Sequence, residues 1–425
     1  MKKYHLIVFG CQMNISDSER LANILEKNKY QSTNEIKKAD LVCLIACSVR
    51  QMAINRIYGA IKNIKKENPK TKIIVTGCLT KKDKKLIQEK VNLVFSINKI
   101  SNLANLLKIK GKKLVTGDYL KIKPKYSTFP LAYIPIMTGC NNFCTYCVVP
   151  YTRQKEISRP SHEIIKETKD LIKKGYKIIV LLGQNVNSYK SNISFPELLN
   201  KISKLPGNFW LTFITSHPKD LSTTLINIMA QKNKVIPYLH LPVQSGDNKI
   251  LRKMNRHYTI NHYKKIIEQA RKKIKNLNIS TDIIVGFPNE TKKEFNNTAK
   301  LMRWVKYDMA YVAKYSPRPG TVAEKLNDNV SAQEKNKRWR ALTKILEKTA
   351  LKKNKKYIGK KIDVLIENKK NNHLFGQTRN FKNVKIIYDS IKSTRQPIKI
   401  PRIGETIKIK ITKAISWGLE GFITK

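Results

Sequence analysis

The stretch AYIPIMTGCNNFCTYC, residues 132–147, joins an apolar run to three cysteines, Cys140, Cys144 and Cys147. The run Ala132–Thr138 is rich in β-branched and aromatic residues and predicts a strand, with the cysteines in the loop that follows it. A closed tetrahedral structural site takes four protein ligands, so three thiols leave one coordination position open. Two centres fit that count. One is zinc with a water or a distant histidine as fourth ligand, and the nearest downstream histidine, His162, opens a predicted helix 15 residues after Cys147. The other is a 4Fe–4S cubane with three cysteinyl irons and one free iron, whose ligated corners lie close together as C-x3-C-x2-C requires. Tyr146, an aromatic residue, directly precedes the last cysteine.

Five further apolar runs follow: KIIVLLG (177–183), FWLTFIT (209–215), VIPYLHL (235–241), ISTDIIVG (279–286) and AYVAKYS (310–316). Amphipathic patterns such as SHEIIKETKDLIKKG (161–175) and TKKEFNNTAKLMRWVK (291–306) separate them. Six strand–helix repeats predict an open, partial (β/α)6 barrel, and such barrels carry their sites at the carboxyl ends of the strands. The three cysteines fall on that face.

Residues 1–118 also alternate strand and helix. YHLIVFG (4–10), DLVCLIA (40–46) and KIIVTG (72–77) read as strands, and SDSERLANILEKN (16–28) as a helix. This predicts an open parallel α/β sheet of flavodoxin-like type. Cys11, Cys47 and Cys78 each follow one of these strands. The carboxyl ends of parallel strands share one sheet edge, where ligands bind, so three thiols distant in sequence are expected to converge. Cys43 lies within its strand and reads as a packing residue.

The polar stretch 119–129, with Pro124, reads as a linker. Beyond the barrel, Ser331 and Glu334 form a capping-box pattern that opens a helix running to about Lys356. Residues 357–425 hold short strands with Gly and Pro turns and predict a small, OB-like β-barrel. Its 15 basic residues against 5 acidic suit a nucleic-acid grip. The expected domains are therefore 2–118, 126–356 and 357–425.

The whole chain agrees with that division. Its 425 residues exceed one core, and its net charge of +54 draws polyanions, nucleic acid first. Only 15 of the 84 basic residues are arginine, so part of the excess reflects a lysine-rich composition. Seven cysteines, an odd number, argue against a disulfide framework. No run of about 18 apolar residues predicts a membrane span, and the N-terminal apolar stretch is too short for a signal peptide. A cytoplasmic protein, free of membrane, is expected.

These residues carry a resemblance. C-x3-C-x2-C after the first strand of a partial barrel resembles the radical S-adenosylmethionine superfamily. GCQMN (10–14), ACSVR (46–50) and GC (77–78) look like the N-terminal domain of its methylthiotransferases. GCNNFCTYCVVPYTR, LLGQNVNSY, TSHPKD, HLPVQSGD, RKMNRHYT, TDIIVGFPNET and YSPRPGT continue the match in order. The C-terminal barrel is similar to a TRAM domain, an RNA-binding module. GCQMN and CSVR place the likeness closest to the subgroup acting on isopentenylated adenosine in tRNA. Sister subgroups, acting on threonylcarbamoyl-adenosine in tRNA or on a ribosomal protein, differ at these two motifs.

The resemblance implies that Cys140, Cys144 and Cys147 hold a 4Fe–4S cluster whose free iron chelates S-adenosylmethionine. Reductive cleavage of the sulfonium would give a 5′-deoxyadenosyl radical, which takes hydrogen from carbon 2 of the adenine. Cys11, Cys47 and Cys78 would hold a second 4Fe–4S cluster that presents or donates sulfur, and a second S-adenosylmethionine would supply the methyl group. The implied partners are tRNA, as an anticodon stem-loop, and an electron donor such as flavodoxin or ferredoxin; a monomer is expected. By position, Gln184, Asn185, Ser216, Gln244 and Asp282 at the barrel's strand ends are candidates for S-adenosylmethionine contacts. Three departures touch loops: Ala46 for Thr, Gln154 and Lys155 for a glycine-containing stretch, and Asn289 for Gly. The competing reading is a zinc-stabilised RNA-binding protein without catalysis, which would be colourless where an iron–sulfur protein is coloured.

Overall fold

The structure is a computed structural model that describes residues 1–48, 51–109, 119–371, 373–387 and 400–424. Val49 and Arg50 of the ACSVR stretch lie outside the described residues, as do residues 110–118 of the first expected domain and Lys425.

The first unit is built on a fully parallel five-stranded sheet. Its spatial order is Tyr30–Ser32, Lys2–Val8, Leu41–Cys47, Lys72–Cys78, Leu93–Val94, the flavodoxin-like order. Strand Leu41–Cys47 is buried throughout because it has a core on each face. Leu41, Cys43 and Ile45 pack on one side, and Val42, Leu44 and Ala46 on the other. Helix Gln51–Glu67 contributes Ile54, Ile57, Ile61 and Ile64 to the second core, at the spacing of one helical face. Cys43 is fully buried and its thiol pKa is driven up by burial alone, which agrees with a packing role. The stretch read as a linker is partly structural: Tyr119, Leu120 and Ile122 pack into the first core. Its polar neighbours hide these three apolar residues from a composition-based reading.

The second unit has the six expected strands in chain order. Leu131–Pro135, Ile178–Leu182 and Trp210–Ile214 form one parallel sheet, and Tyr238–His240, Asn278–Val285 and Met309–Lys314 another. Backbone bonds join the two, from Leu211 N to Lys234 O (2.7 Å) and from Ile236 N to Leu211 O (3.0 Å). Alternate strand residues face opposite ways, as the pleat demands. Ile179, Leu181, Leu211 and Phe213 pack beneath the helices, whereas Ile178, Val180, Leu182, Leu131, Tyr133, Trp210 and Ile214 face the lumen. Met13 of the first unit and Leu365 and Phe381 of the third join this lumenal cluster, so one apolar core ties all three units. Helix Ala332–Asn354, capped by Ser331 Oγ accepting from Glu334 N (3.2 Å), leads out of the barrel.

The third unit is a closed five-stranded barrel of Lys361–Lys370, His373–Thr378, Asn383–Ile387, Gly418–Ile423 and Thr406–Ile415. It docks at the amino ends of the second unit's strands. Phe381 stacks on Tyr238 at 5.1 Å between centroids, and Asn380 bonds Asn278. Lys382 Nζ reaches Asp308 Oδ1 at 3.1 Å while Lys353 Nζ holds Oδ2 at 2.7 Å. Tyr238 and Asn278 each begin their strands. At about 3.3 Å per residue, a five-residue strand separates this floor from the opposite mouth by roughly 17 Å.

Glu367 of this barrel is half-buried against the interface. Its Oε1 is buried without a hydrogen-bond partner, and desolvation raises its pKa from about 4.5 to about 7. The folded chain therefore holds this proton up to about pH 7, whereas the unfolded chain releases it near 4.5. Its contribution to stability is complete below about 4.5 and lost as pH rises through about 7. Glu367→Gln is expected to change stability little at pH 4.5 and to add on the order of 3 kcal/mol at pH 8. Denaturant unfolding at the two pH values checks this; equal gains at both would contradict it.

Candidate functional site

The three N-terminal cysteines lie at the sheet's carboxyl edge. Cys47 and Cys78 are the last residues of adjacent strands and stand in register. Cys11 lies three residues past its strand and N-caps helix Gln12–Lys27. Gly10 lets the loop close on Cys47: at φ +109° it occupies glycine's region, and a Cβ there would sit 2.6 Å from Cys47 Cβ. Asn14 ties the loops together, its Nδ2 donating to Phe9 O (2.6 Å) and Ala46 O (2.9 Å). Ala46 itself is buried, its methyl in the core and its carbonyl on Asn14.

The second set sits in the loop after the barrel's first strand. Cys147 N donates to Cys144 O at 2.9 Å, curling the loop, and Cys140 N donates to Gln154 O at 3.2 Å, closing it. Burial raises the Cys140 thiol and pushes the Cys147 thiol up to about 12. Such thiols keep their protons until a cation displaces them. Gln154 occupies φ +68°, ψ −161°, a region almost reserved for glycine. Asn289 lies at φ +61°, where Asn is tolerated. Two of the departures thus fall where backbone geometry favours glycine. Gln154→Gly is expected to stabilise the fold by about 1 kcal/mol, seen as a raised unfolding midpoint; a lowered midpoint would contradict it.

Arginines that the sequence reading left unassigned lie against both sets. Arg256 Nη1 donates to Cys144 Sγ at 3.6 Å, while its Nη2 is fixed by Pro242 O at 2.8 Å. Arg153 Nε donates to Cys78 Sγ at 2.9 Å, and its other nitrogens pair with Asp17. Arg318 reaches Asp83 Oδ2 at 3.4 Å, and Asp83 also accepts from Ser48, the residue after Cys47. PYTR, RKMNR and SPRP carried these arginines in the sequence. The signal was there, but their partners lie far along the chain.

Around the mouth, buried polar atoms lack partners: Thr138 Oγ1, Gln184 Oε1, Asn185 Oδ1, both side-chain atoms of Asn187, Ser216 Oγ and His217 Nε2. An unpaired buried polar atom costs about 1–3 kcal/mol, so such atoms gathered at strand ends are candidates to pair with a polar ligand. Gln184, Asn185 and Ser216 are among them. Asn185 Nδ2 is held by Asp220 at 2.7 Å, and Val186 N donates to Thr215 O at 2.9 Å, joining the two loops. Gln244 is buried, its backbone bonded to Asp282 O and Ile284 N. Asp282 lies three residues before the end of strand Asn278–Val285, level with the backbone of Gln244, and faces His240 Nε2 at 3.4 Å. His217 is held neutral, burial lowering its pKa to about 2, so it offers a ring nitrogen and no charge. His162 is exposed on helix Ser161–Lys173, on the helix layer.

Among the described residues, no three His, Cys, Asp or Glu side chains converge as the ligands of one ion would. Among the described residues, no helix is long and apolar enough to cross a membrane.

Fold and site together define a radical S-adenosylmethionine enzyme flanked by an α/β unit and a small β-barrel. Residues 134–302 match the Radical SAM superfamily, 3–97 the Uncharacterized protein family UPF0004, and 355–424 the TRAM domain. The chain is 41% identical to the tRNA-2-methylthio-N(6)-dimethylallyladenosine synthase of Clostridium botulinum (strain Hall), over 99% of this chain and 96% of that protein. The synthase of the same name from Thermoanaerobacter sp. (strain X514) is 40% identical over 98% and 92%, and that from Finegoldia magna 39% over 98% and 94%. The chain belongs to the tRNA-2-methylthio-N(6)-dimethylallyladenosine synthase family, the radical tRNA methylthiotransferases. Among solved structures, the radical methyltransferase TsrM from Kitasatospora setae matches with TM-score 0.56 at 13% identity, over 76% of this chain and 77% of that one. The cobalamin-dependent enzyme OxsB matches with TM-score 0.52 at 11% identity, over 82% and 56%. These two likenesses concern the fold alone. Membership of the superfamily implies a 4Fe–4S cluster and S-adenosylmethionine.

Proposed function

We propose that this chain adds a methylthio group to carbon 2 of N6-(dimethylallyl)adenosine beside the anticodon of tRNA, using two 4Fe–4S clusters and two S-adenosylmethionine molecules. The observation that carries the reading is the pairing of two cysteine triplets at carboxyl strand ends, one on each of two units joined by Arg153. Cys140, Cys144 and Cys147 are the ligands of the cluster that binds S-adenosylmethionine, and Cys11, Cys47 and Cys78 those of the second. When bound, these cofactors supply radical generation, sulfur and methyl; the protein's part is placement and insulation. Gln184, Asn185 and Ser216 offer acceptors and donors to the polar parts of S-adenosylmethionine. Gln244 and Asp282 border the deeper lumen, with Asp282 turned toward His240. The lumen carries an apolar half, from Leu131 to Ile214.

The working units keep the expected bounds 2–118, 126–356 and 357–425, with Tyr119–Ile122 added to the first. The C-terminal barrel supplies basic surface for the tRNA stem, and a donor such as flavodoxin or ferredoxin supplies electrons. The test uses anaerobically reconstituted protein, a reductant and synthetic anticodon stem-loops, with nucleosides read by mass spectrometry. Methylthiolation of the isopentenylated stem-loop is expected. Product on the threonylcarbamoyl stem-loop instead would overturn the substrate assignment.

A further inference from the structure

Arg153 touches a cysteine of the first unit from the backbone of the second. It ends the five-residue helix Val149–Arg153, six residues after Cys147. Its side chain is 1% exposed, and that of its partner Asp17 is 0% exposed. Nε donates to Cys78 Sγ at 2.9 Å, Nη1 to Asp17 Oδ1 at 3.4 Å, and Nη2 to Asp17 Oδ2 and to Asn14 Oδ1. Tyr119 OH also donates to Asp17 Oδ1, so the carboxylate that orients the guanidinium is itself fixed. On the barrel side, the next residue, Gln154, accepts the amide of Cys140. A short, fully bonded path therefore runs from Cys140 through Gln154 and Arg153 to Cys78.

We propose that Arg153 is a positioning and tuning residue: it fixes the separation of the two cysteine sets and raises the reduction potential of the N-terminal centre through its hydrogen bond to Cys78 Sγ. The inference rests on Cys11, Cys47 and Cys78 holding a cluster. Adding an electron makes such a centre more negative, and a buried cation donating to a ligand sulfur stabilises that extra charge. Removing the donor leaves the reduced state less favoured, so the potential falls. A merely structural arginine would leave the potential where it was.

Arg153→Met alone strands Asp17 as a buried unpaired carboxylate, which costs enough to threaten folding. The comparison is therefore between Asp17→Asn and Arg153→Met/Asp17→Asn. Both are made in a chain whose Cys140, Cys144 and Cys147 are Ala, so that only the N-terminal centre reports. Iron content and the potential from a redox titration followed by electron paramagnetic resonance are measured for each. Equal iron is expected in both. At a fixed poise the double variant's reduced-to-oxidised ratio is expected to be about tenfold lower, a fall of about 59 mV for one electron. Arg153→Lys/Asp17→Asn in the same chain, which keeps the charge and loses the fork, is expected to fall between the two. Equal iron with equal potential would overturn the proposal. A background protein without iron would overturn the ligand assignment beneath it, and the proposal with it.

Discussion

Changing Cys11, Cys47 and Cys78 together to Ala is expected to reduce methylthiolated tRNA to below detection while reductive cleavage of S-adenosylmethionine continues. The separation follows from geometry. The three side chains lie on the sheet edge of the first unit, and the second unit's loop is closed by its own bonds, Cys147 N to Cys144 O and Cys140 N to Gln154 O. Cys47 and Cys78 are buried, so their truncation costs a few kcal/mol of packing at most. Far-ultraviolet circular dichroism is expected to be unchanged. Changing Cys140, Cys144 and Cys147 to Ala is expected to abolish both reactions. Retained methylthio product in the first variant would show that sulfur does not pass through that edge. Liquid chromatography of 5′-deoxyadenosine and mass spectrometry of the nucleosides read the two reactions separately.

Ending the chain at residue 356 is expected to destabilise the core barrel by several kcal/mol and lower its melting temperature. The third unit reads from sequence as a separable grip, but it closes the floor of the second. Truncation uncovers Tyr238, Trp210 and Tyr133 by removing Phe381 and Leu365, and losing buried side chains of that size costs about 2–5 kcal/mol each. Whole domains are stable by only about 5–15 kcal/mol, so this is a large fraction. An unchanged melting temperature would contradict the docking described. Binding to RNA is better probed by replacing the exposed Lys408, Lys410 and Lys413 with Gln. That change is expected to flatten the slope of log affinity against log salt, because fewer counterions are released.

The local patterns of this chain were legible in its sequence, and its long-range contacts were not. Runs such as DLVCLIA announced strands because a doubly covered parallel strand is apolar at every position. The placement of Cys11, Cys47 and Cys78 on one edge was legible because the carboxyl ends of parallel strands share an edge. Arg153 was not, since Asp17 and Cys78 lie 136 and 75 residues away and nothing local marks the pairing. Phe381 and Lys382 sit in a turn of the small barrel, where a polar, basic context reads as surface; only the docking partner shows them covered. The contact of Asp282 with His240 was not legible either, since the two lie on neighbouring strands 42 residues apart in the chain and only the sheet pairing brings them face to face.

The most direct measurement of the central claim is iron per chain after anaerobic reconstitution. Two cubanes on two cysteine triplets give about eight irons, falling to about four in either triple-alanine variant. A wild-type value of about four, or no loss in one of the variants, would contradict the two-centre account.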